Sequence, residues 1–369
     1  MKILWISNIP SPYRVDFFNE LGKHCKLTVL FEKSSSDERD ETWKKYSFSN
    51  FKGVILGGKS INTDKALCFR VISFLNNSKY DHIIVSNISS PTGIIAVLYM
   101  RMKKIPYWIE GDGAFAKKKK NLKEFVKTYI ISHAKGCFST SKVHDNYYLT
   151  YGAKKNAIFR YPFTSISEEN VLKNTIPLNL KRDLRKTLGI KEDKVILCVG
   201  QMIPRKGIDI FIKVAALNKS YGFYIVGGKP KNEYLGLKKR LDAYNVHFVD
   251  FKKPDELKKY YQAANIFLLP TREDIWGLVI NEAMANGLPV VTTDRCIAGT
   301  ELVKNEKNGY VVPIEDVFTT SSAINKVFEK GYECMGKKSL EFIEKYTIEN
   351  MAKAHINILG SKSNDNKHK

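Results

Sequence analysis

Paired-cysteine chemistry, long apolar runs and dinucleotide fingerprints are all missing from this sequence. Its six cysteines, Cys25, Cys68, Cys137, Cys198, Cys296 and Cys334, are scattered, with no Cys-x-x-Cys pair and no histidine cluster beside them. That spacing argues against a zinc site and a disulfide framework, and leaves reduced, packed thiols. No stretch approaches the ~18 consecutive apolar residues of a membrane-crossing helix. The apolar run after Met1 is too short for a signal peptide and reads as a first buried strand, so a cytoplasmic protein is expected. No Gly-x-Gly-x-x-Gly is present, which argues against a dinucleotide dehydrogenase. Acid is scarce: 38 acidic residues face 60 basic ones, a net charge of +22. Such an excess points to an anionic partner, whether nucleic acid, membrane surface or phosphorylated substrate, or else to a Lys-rich composition. The basic residues are spread along the chain without any RNA- or DNA-binding motif, so no nucleic-acid partner is expected; nucleic-acid binding stays as the rival reading of the charge.

What is present is enough for two cores. A chain of 369 residues, 43% hydrophobic and 27% charged, suits a soluble protein of two domains. It opens with a strand at residues 3–7, a loop stiffened by Pro10 and Pro12, and a helix over residues 15–22, the start of a doubly wound α/β domain. Further strands are expected at 26–31, 82–86, 106–110 and 136–140. The strand ending at Glu110 runs into Gly111, Asp112 and Gly113, a turn where two glycines let a ligand approach the backbone. Leu122, Phe125, Val126, Tyr129 and Ile130 recur at helical spacing. That stripe is expected in the domain core. Its basic flank, Lys117–Lys120 with Lys123 and Lys127, is left at the surface, where peripheral contact with an anionic membrane is open to it. The first domain closes near residue 165. Residues 165–193 read as a linker with a short helix near 180–188, and a second α/β domain spans 190–337. Residues 359–369 read as a disordered tail.

The stretch from Leu269 to Thr293 organises the rest. An apolar strand (266–269) meets a polar loop holding Arg272, Glu273 and Asp274. A helix follows from about Gly277 to Asn286, stopped by Gly287 and Pro289, and a second strand from Val290 to Thr293. The loop and the start of the helix at Gly277, Leu278 and Val279 lie at the carboxyl end of a strand, where open α/β sheets bind ligands and helix N–H groups suit phosphates. Asp274 and Glu282, eight residues apart, are carboxylates, strong two-point hydrogen-bond acceptors. A second strand–loop–helix runs from Gly200 and Gln201 to Pro204, Arg205, Lys206 and Gly207, with two adjacent cations in its loop.

Read together, Asp274, Gly277, Leu278, Glu282, Ala283, Met284, Ala285, Gly287, Pro289 and Val290 resemble the signature of the GT4-type glycosyltransferases of the GT-B fold, an acid, seven residues and Glu within a Gly-Leu, Glu-Ala-Met-Ala, Gly-x-Pro-Val context. Gly200, Lys206 and Gly207 resemble that family's Gly-Arg-x4-Lys-Gly element, with Gln201 in place of the usual Arg and Arg205 as its stand-in. The resemblance implies an α/β chain of two Rossmann-like doubly wound domains facing a cleft, with a C-terminal helix over 338–358 packing back on the first domain. It implies sugar transfer from a nucleotide-diphosphate sugar to a hydroxyl of a glycan or lipid-linked saccharide, in polysaccharide biosynthesis at the inner membrane face. Transfer with retention, no metal and no cofactor beyond the co-substrate is expected; the nearest thing to Asp-x-Asp is Glu110-Gly-Asp112. In this reading Glu282 holds the ribose, Asp274 the donor sugar, and Lys206 and Arg205 the diphosphate, with Phe251 near the nucleobase. The loop with Pro12 and Arg14 lies in the cleft, where Arg14 meets a donor or acceptor phosphate. Glu110 or Asp112 replaces a histidine that the family carries in that loop. A GT-B epimerase on the same fold is the other enzyme reading.

Overall fold

The computed structural model describes residues 1–34, 47–62, 65–117 and 121–364. Lys118–Lys120, most of the polar loop after Ser34 and residues 365–369 therefore lie outside the described residues. The chain divides into two compact units, Met1–Ser165 with Thr347–Lys369, and Ile166–Tyr346.

In the first unit, the inner strands are short apolar runs buried almost throughout, as a parallel sheet covered on both faces requires, while the two edge strands are only partly buried. These are β1 (Lys2–Ser7), β2 (Lys26–Phe31), β3 (Lys52–Ile55), β6 (His82–Val85), β7 (Trp108–Glu110), β8 (Gly136–Ser139) and β9 (Ile158–Arg160), with a side hairpin of β4 (Lys59–Asn62) and β5 (Lys65–Leu67). The main sheet is parallel, seven-stranded, in the order β3-β2-β1-β6-β7-β8-β9. Its helices are α1 (Pro12–Gly22), α2 (Pro91–Met102), α3 (Leu122–Ser132) and α4 (Lys142–Thr150). Helix α1 starts earlier than the expected residue 15, because the fixed φ and missing N–H of Pro12 suit a first helical position.

The second unit holds α5 (Leu178–Leu188), β10 (Val195–Val199), α6 (Ile208–Leu217), β11 (Gly222–Val226), α7 (Asn232–Arg240), β12 (Val246–Val249), α8 (Pro254–Ala263), β13 (Ile266–Leu269), α9 (Leu278–Ala285), β14 (Val290–Thr293), α10 (Ile297–Leu302), β15 (Gly309–Val312), α11 (Val317–Lys330) and α12 (Tyr332–Ile343). Its sheet order, β12-β11-β10-β13-β14-β15, is the doubly wound one, and it reverses direction between β10 and β13. The stretch expected as a linker is a packed part of this unit. On α5, Lys181 Nζ donates to the carbonyl of Gln262 at 3.0 Å, and Arg185 Nε to that of Ala263 at 2.9 Å. Both cations thus cap the last carbonyls of α8.

The C-terminal region differs from the single helix expected over 338–358. It breaks after α12 and resumes as α13 (Ile348–Asn364), which belongs to the first unit. Thr347 makes the restart: its Oγ1 accepts from the Asn350 N–H at 3.3 Å, an N-cap contact. Nor is the tail irregular from residue 359. Leu359 is fully buried, and that anchor carries the helix on to Asn364.

One buried histidine pins α13. The His355 ring lies 4.4 Å from Phe138, 4.6 Å from Tyr161, 5.0 Å from Phe17 and 5.6 Å from Trp5, centroid to centroid. Its Nδ1 is 2.8 Å from the Met351 carbonyl. Burial pushes its pKa down to about 4 from 6.5. The unfolded chain therefore binds the extra proton first, and His355 stability is lost as pH falls from about 6.5 towards about 4. In His355→Phe, which keeps the aromatic cage, the loss of unfolding free energy between about pH 7.5 and about pH 5.5 is expected to shrink by about 1 kcal/mol, read by urea titration at each pH.

Candidate functional site

The reversal between β10 and β13 opens the carboxyl edge of the second sheet, and the loops after these two strands meet there. Gly207 makes the meeting close: its φ is +70°, and a Cβ on it would lie 1.9 Å from the Pro270 carbonyl oxygen. Any larger residue would drive the two loops apart. Arg272 then ties them together. It pairs in fork fashion with both carboxylate oxygens of Asp209 at 2.8 Å, donates to the Pro204 carbonyl at 2.6 Å and reaches Glu315 at 2.7 Å. Thr271 Oγ1 donates to the Arg205 carbonyl at 2.9 Å.

This scaffold holds an ion cluster. Lys206 Nζ lies 2.5 Å from Asp274 Oδ2, and Arg205 Nη1 lies 3.7 Å from Asp274 Oδ1 while donating to the Glu273 carbonyl at 2.7 Å. Asp274 is fixed through its backbone, its N–H donating to the Arg295 carbonyl at 2.9 Å and its own carbonyl accepting from Ile297 at 3.2 Å. Gly277, with φ of +100°, forms the cap before α9; a Cβ there would lie 2.8 Å from Cys296 Sγ. Leu278 and Val279 follow as the first helical residues, whose N–H groups have no carbonyl within the helix to bond. Further along α9, half-buried Glu282 accepts from the Tyr261 hydroxyl at 2.8 Å. Burial pushes the Glu282 carboxyl up from its ordinary value, against the pull of that hydroxyl.

The structure thus brings Asp274, Lys206 and Arg205 into one cluster, beside the Gly277–Val279 helix start. Gly200 and Gln201 open the loop after β10, with Gln201 exposed. Phe251 is exposed beyond β12, the edge strand, two strands from β10. Reading the sequence placed Arg272 in the loop but not its pairing with Asp209, nor that of Tyr261 with Glu282, since no motif spells either pairing.

In the first unit, Arg14, Glu110 and Asp112 form a second cluster. Arg14 is 5% exposed and Glu110 1%. Arg14 grips Glu110 with both terminal nitrogens, at 2.9 and 3.0 Å, and also pairs with Asp112. The remaining Glu110 contacts come from Tyr161 at 2.5 Å and Ser86 at 2.7 Å, and Ser86 in turn accepts from Trp5 Nε1 at 2.6 Å. Arg14 is therefore held by two carboxylates, and Glu110 is its buried counter-ion. Burial alone would raise the Glu110 carboxyl, but Arg14, Tyr161 and Ser86 together hold it below the usual carboxylate value. Asp112 is more exposed and accepts from the Tyr13 hydroxyl at 2.9 Å. One guanidinium serves two carboxylates here, so burial and the Glu110 charge leave Asp112 raised. Pro12 is exposed at the start of α1. The loop lacks a histidine in sequence, yet α4 brings one beside it: a Cβ on Gly111 would lie 3.3 Å from His144 Cε1. Burial pushes the His144 pKa down to about 4. Only the fold shows this neighbour, which is 33 positions away from Gly111 in the chain.

Residues 181–366 match the family described as glycosyl transferases group 1. An O-antigen biosynthesis glycosyltransferase of Escherichia coli is 32% identical over 160 residues, 42% of each chain. An uncharacterised glycosyltransferase of Methanocaldococcus jannaschii is 29% identical over 188 residues, 48% of each chain. The chain spans about half the length of the curated relatives it matches. Among solved structures, a sucrose-phosphate synthase from Thermosynechococcus elongatus superposes with a TM-score of 0.75 at 18% identity, over 99% of this chain and 100% of that one. The Anabaena protein HepE, solved in complex with UDP, superposes with a TM-score of 0.77 at 16% identity, over 98% of this chain and 100% of that one. At those identities the likeness is one of fold, the GT-B class with two Rossmann-like domains.

Proposed function

Because the chain belongs to the group 1 glycosyl transferases, we propose that it moves a sugar from a nucleoside diphosphate sugar to a hydroxyl of a glycan or lipid-linked saccharide. The observation that carries this reading is the pairing of Lys206 with Asp274 at 2.5 Å, at the carboxyl edge where β10 and β13 diverge. A lone exposed cation would serve any anion. A lysine held by a carboxylate beside a helix start is arranged to meet a ligand with both phosphate oxygens and hydroxyls. Lys206, Arg205 and the N–H groups of Leu278 and Val279 take the diphosphate. Asp274 accepts from the donor sugar's hydroxyls, and Glu282 from the ribose. Gly200 and Gln201 line the phosphates, and Phe251 lies towards the base. HepE was solved with UDP and with UDP-glucose, which supports a nucleotide-sugar donor for this fold.

The chemistry follows from where charge develops. As the bond from the anomeric carbon to the phosphate oxygen breaks, negative charge gathers on the diphosphate, and Lys206 with Arg205 stabilises it without metal. The acceptor oxygen bonds to the same face of the anomeric carbon, and its proton passes to the departing phosphate oxygen, so configuration is retained.

Incubation with a panel of sugar nucleotides and saccharide acceptors tests this. One donor is expected to release its nucleoside diphosphate only with acceptor present, insensitive to EDTA, with proton NMR showing the product's anomeric configuration unchanged. Inverted product or metal-dependent release contradicts the mechanism. Conversion of the free donor without acceptor favours the epimerase reading.

A further inference from the structure

Glu110 and Asp209 each face an arginine. Glu282 on α9 does not. Burial pushes its carboxyl up, and what pulls it back is a neutral group, the Tyr261 hydroxyl, which donates to Oε2 at 2.8 Å. Oε1 has no partner among the described residues. A half-buried carboxylate held by one hydroxyl and no cation costs stability, and a ligand hydroxyl on the second oxygen would offset that cost.

The placement of Tyr261 is fixed from three sides. Its side chain is buried, and its ring lies 5.8 Å from that of Phe267 on β13. Burial, with the Glu282 charge beside it, holds the hydroxyl far above the ordinary tyrosine range, so it remains a donor wherever Glu282 is ionised. Tyr261 also stands in the last turn of α8, whose end is tied to β10. Lys181 and Arg185 of α5 take the carbonyls of Gln262 and Ala263. Arg185 Nη2 donates to Asn265 Oδ1 at 2.7 Å, and the same oxygen accepts from the N–H of Val195, the first residue of β10, at 2.8 Å. A buried tyrosine that needed only an acceptor could use a carbonyl. This one spends its hydroxyl on half of a carboxylate, on the helix that starts at the carboxyl edge of the sheet.

We propose that Tyr261 is the positioning residue of Glu282, occupying Oε2 so that the carboxylate turns Oε1 to a ribose hydroxyl of the donor. The proposal rests on the nucleotide-sugar reading of the second unit. The contact is charge-assisted only while Glu282 is ionised, so the tyrosine aims the carboxylate and also favours the form that accepts best from a hydroxyl.

Two measurements on the full chain test this. The first needs no ligand: urea unfolding of wild type and Tyr261→Phe from about pH 5 to about pH 8. Because the folded Glu282 carboxyl ionises at a higher pH than the unfolded one, its contribution to stability falls as pH rises, and it falls further without the hydroxyl. The cost of Tyr261→Phe is therefore expected to grow with pH, and to stay constant when Glu282→Gln is also present. The second is titration calorimetry with the sugar nucleotide of the UDP, GDP, ADP, CMP and dTDP set that binds the wild type. Tyr261→Phe should bind within about threefold of wild type near pH ~8 and at least about tenfold more weakly near pH ~5.5. It should add nothing to Glu282→Gln. A cost that does not change with pH, or a weakening of equal size at both pH values, overturns the proposal and makes Tyr261 a packing residue, with the nucleotide-sugar reading untouched. If the cost grows with pH while no sugar nucleotide binds the wild type, the nucleotide-sugar reading fails and takes the positioning role with it.

Discussion

Arg14→Ala is expected to destabilise the first unit by about 3–5 kcal/mol, among the largest effects of any single substitution here. The guanidinium sits between Glu110 and Asp112, with Tyr13 and Phe163 ring centroids 5.7 and 5.6 Å away. Removing it leaves a carboxylate that is 1% exposed with two hydroxyls and no cation. Glu110 must then take up a proton, so the loss grows with pH above the ordinary carboxylate range. Arg14→Ala combined with Glu110→Gln should recover part of the loss, because the amide carries no charge to strand. Urea unfolding of the single and double variants measures both. A cost below about 1 kcal/mol for Arg14→Ala would mean that the pair is solvated and that Glu110 is not the buried counter-ion described above.

Lys206→Ala is expected to lower kcat by about 10²–10³ with far less change in KM. Its Nζ is the closest cation to Asp274, and in the proposed reaction it matters most when charge collects on the departing diphosphate. Lys206→Arg should rescue little, because the planar fork does not place its charge where the lysine's point charge sits. Arg205→Ala should cost less, since Arg205 is half-exposed and 3.7 Å from Asp274. Steady-state kinetics with the donor found by the panel decides. An equal fall in kcat/KM carried wholly by KM would make Lys206 a ground-state contact and move the transition-state role elsewhere.

Much of the fold was legible because its signals are local. Strand, loop and helix around Leu269–Thr293 follow one another in a single stretch, and Gly287 and Pro289 punctuate it as the structure does, with Gly287 at φ +71°. The doubly wound pattern was legible for the same reason, being apolar runs alternating with helical ones. What escaped notice depends on distant partners. Nothing local in the sequence pairs Arg14 with Glu110 and Asp112, which are 96 and 98 positions away. Periodicity identified α3 but not which part of its apolar arc the core covers, so Leu122 and Phe125, 79% and 68% exposed, were assigned to the interior. The break before α13 hung on a single cap at Thr347, and residues 338–358 read as continuous without it.

The most direct test of the central claim is thermal unfolding of the wild type and Glu282→Gln against UDP-, GDP-, ADP-, CMP- and dTDP-sugars. One donor class, at a concentration of ~100 times its dissociation constant, is expected to add ~2.7 kcal/mol of stability to the wild type, and Glu282→Gln is expected to lose most of that gain. If no sugar nucleotide shifts the wild type, or if the one that does shifts Glu282→Gln equally, the second unit does not hold a nucleotide sugar as described.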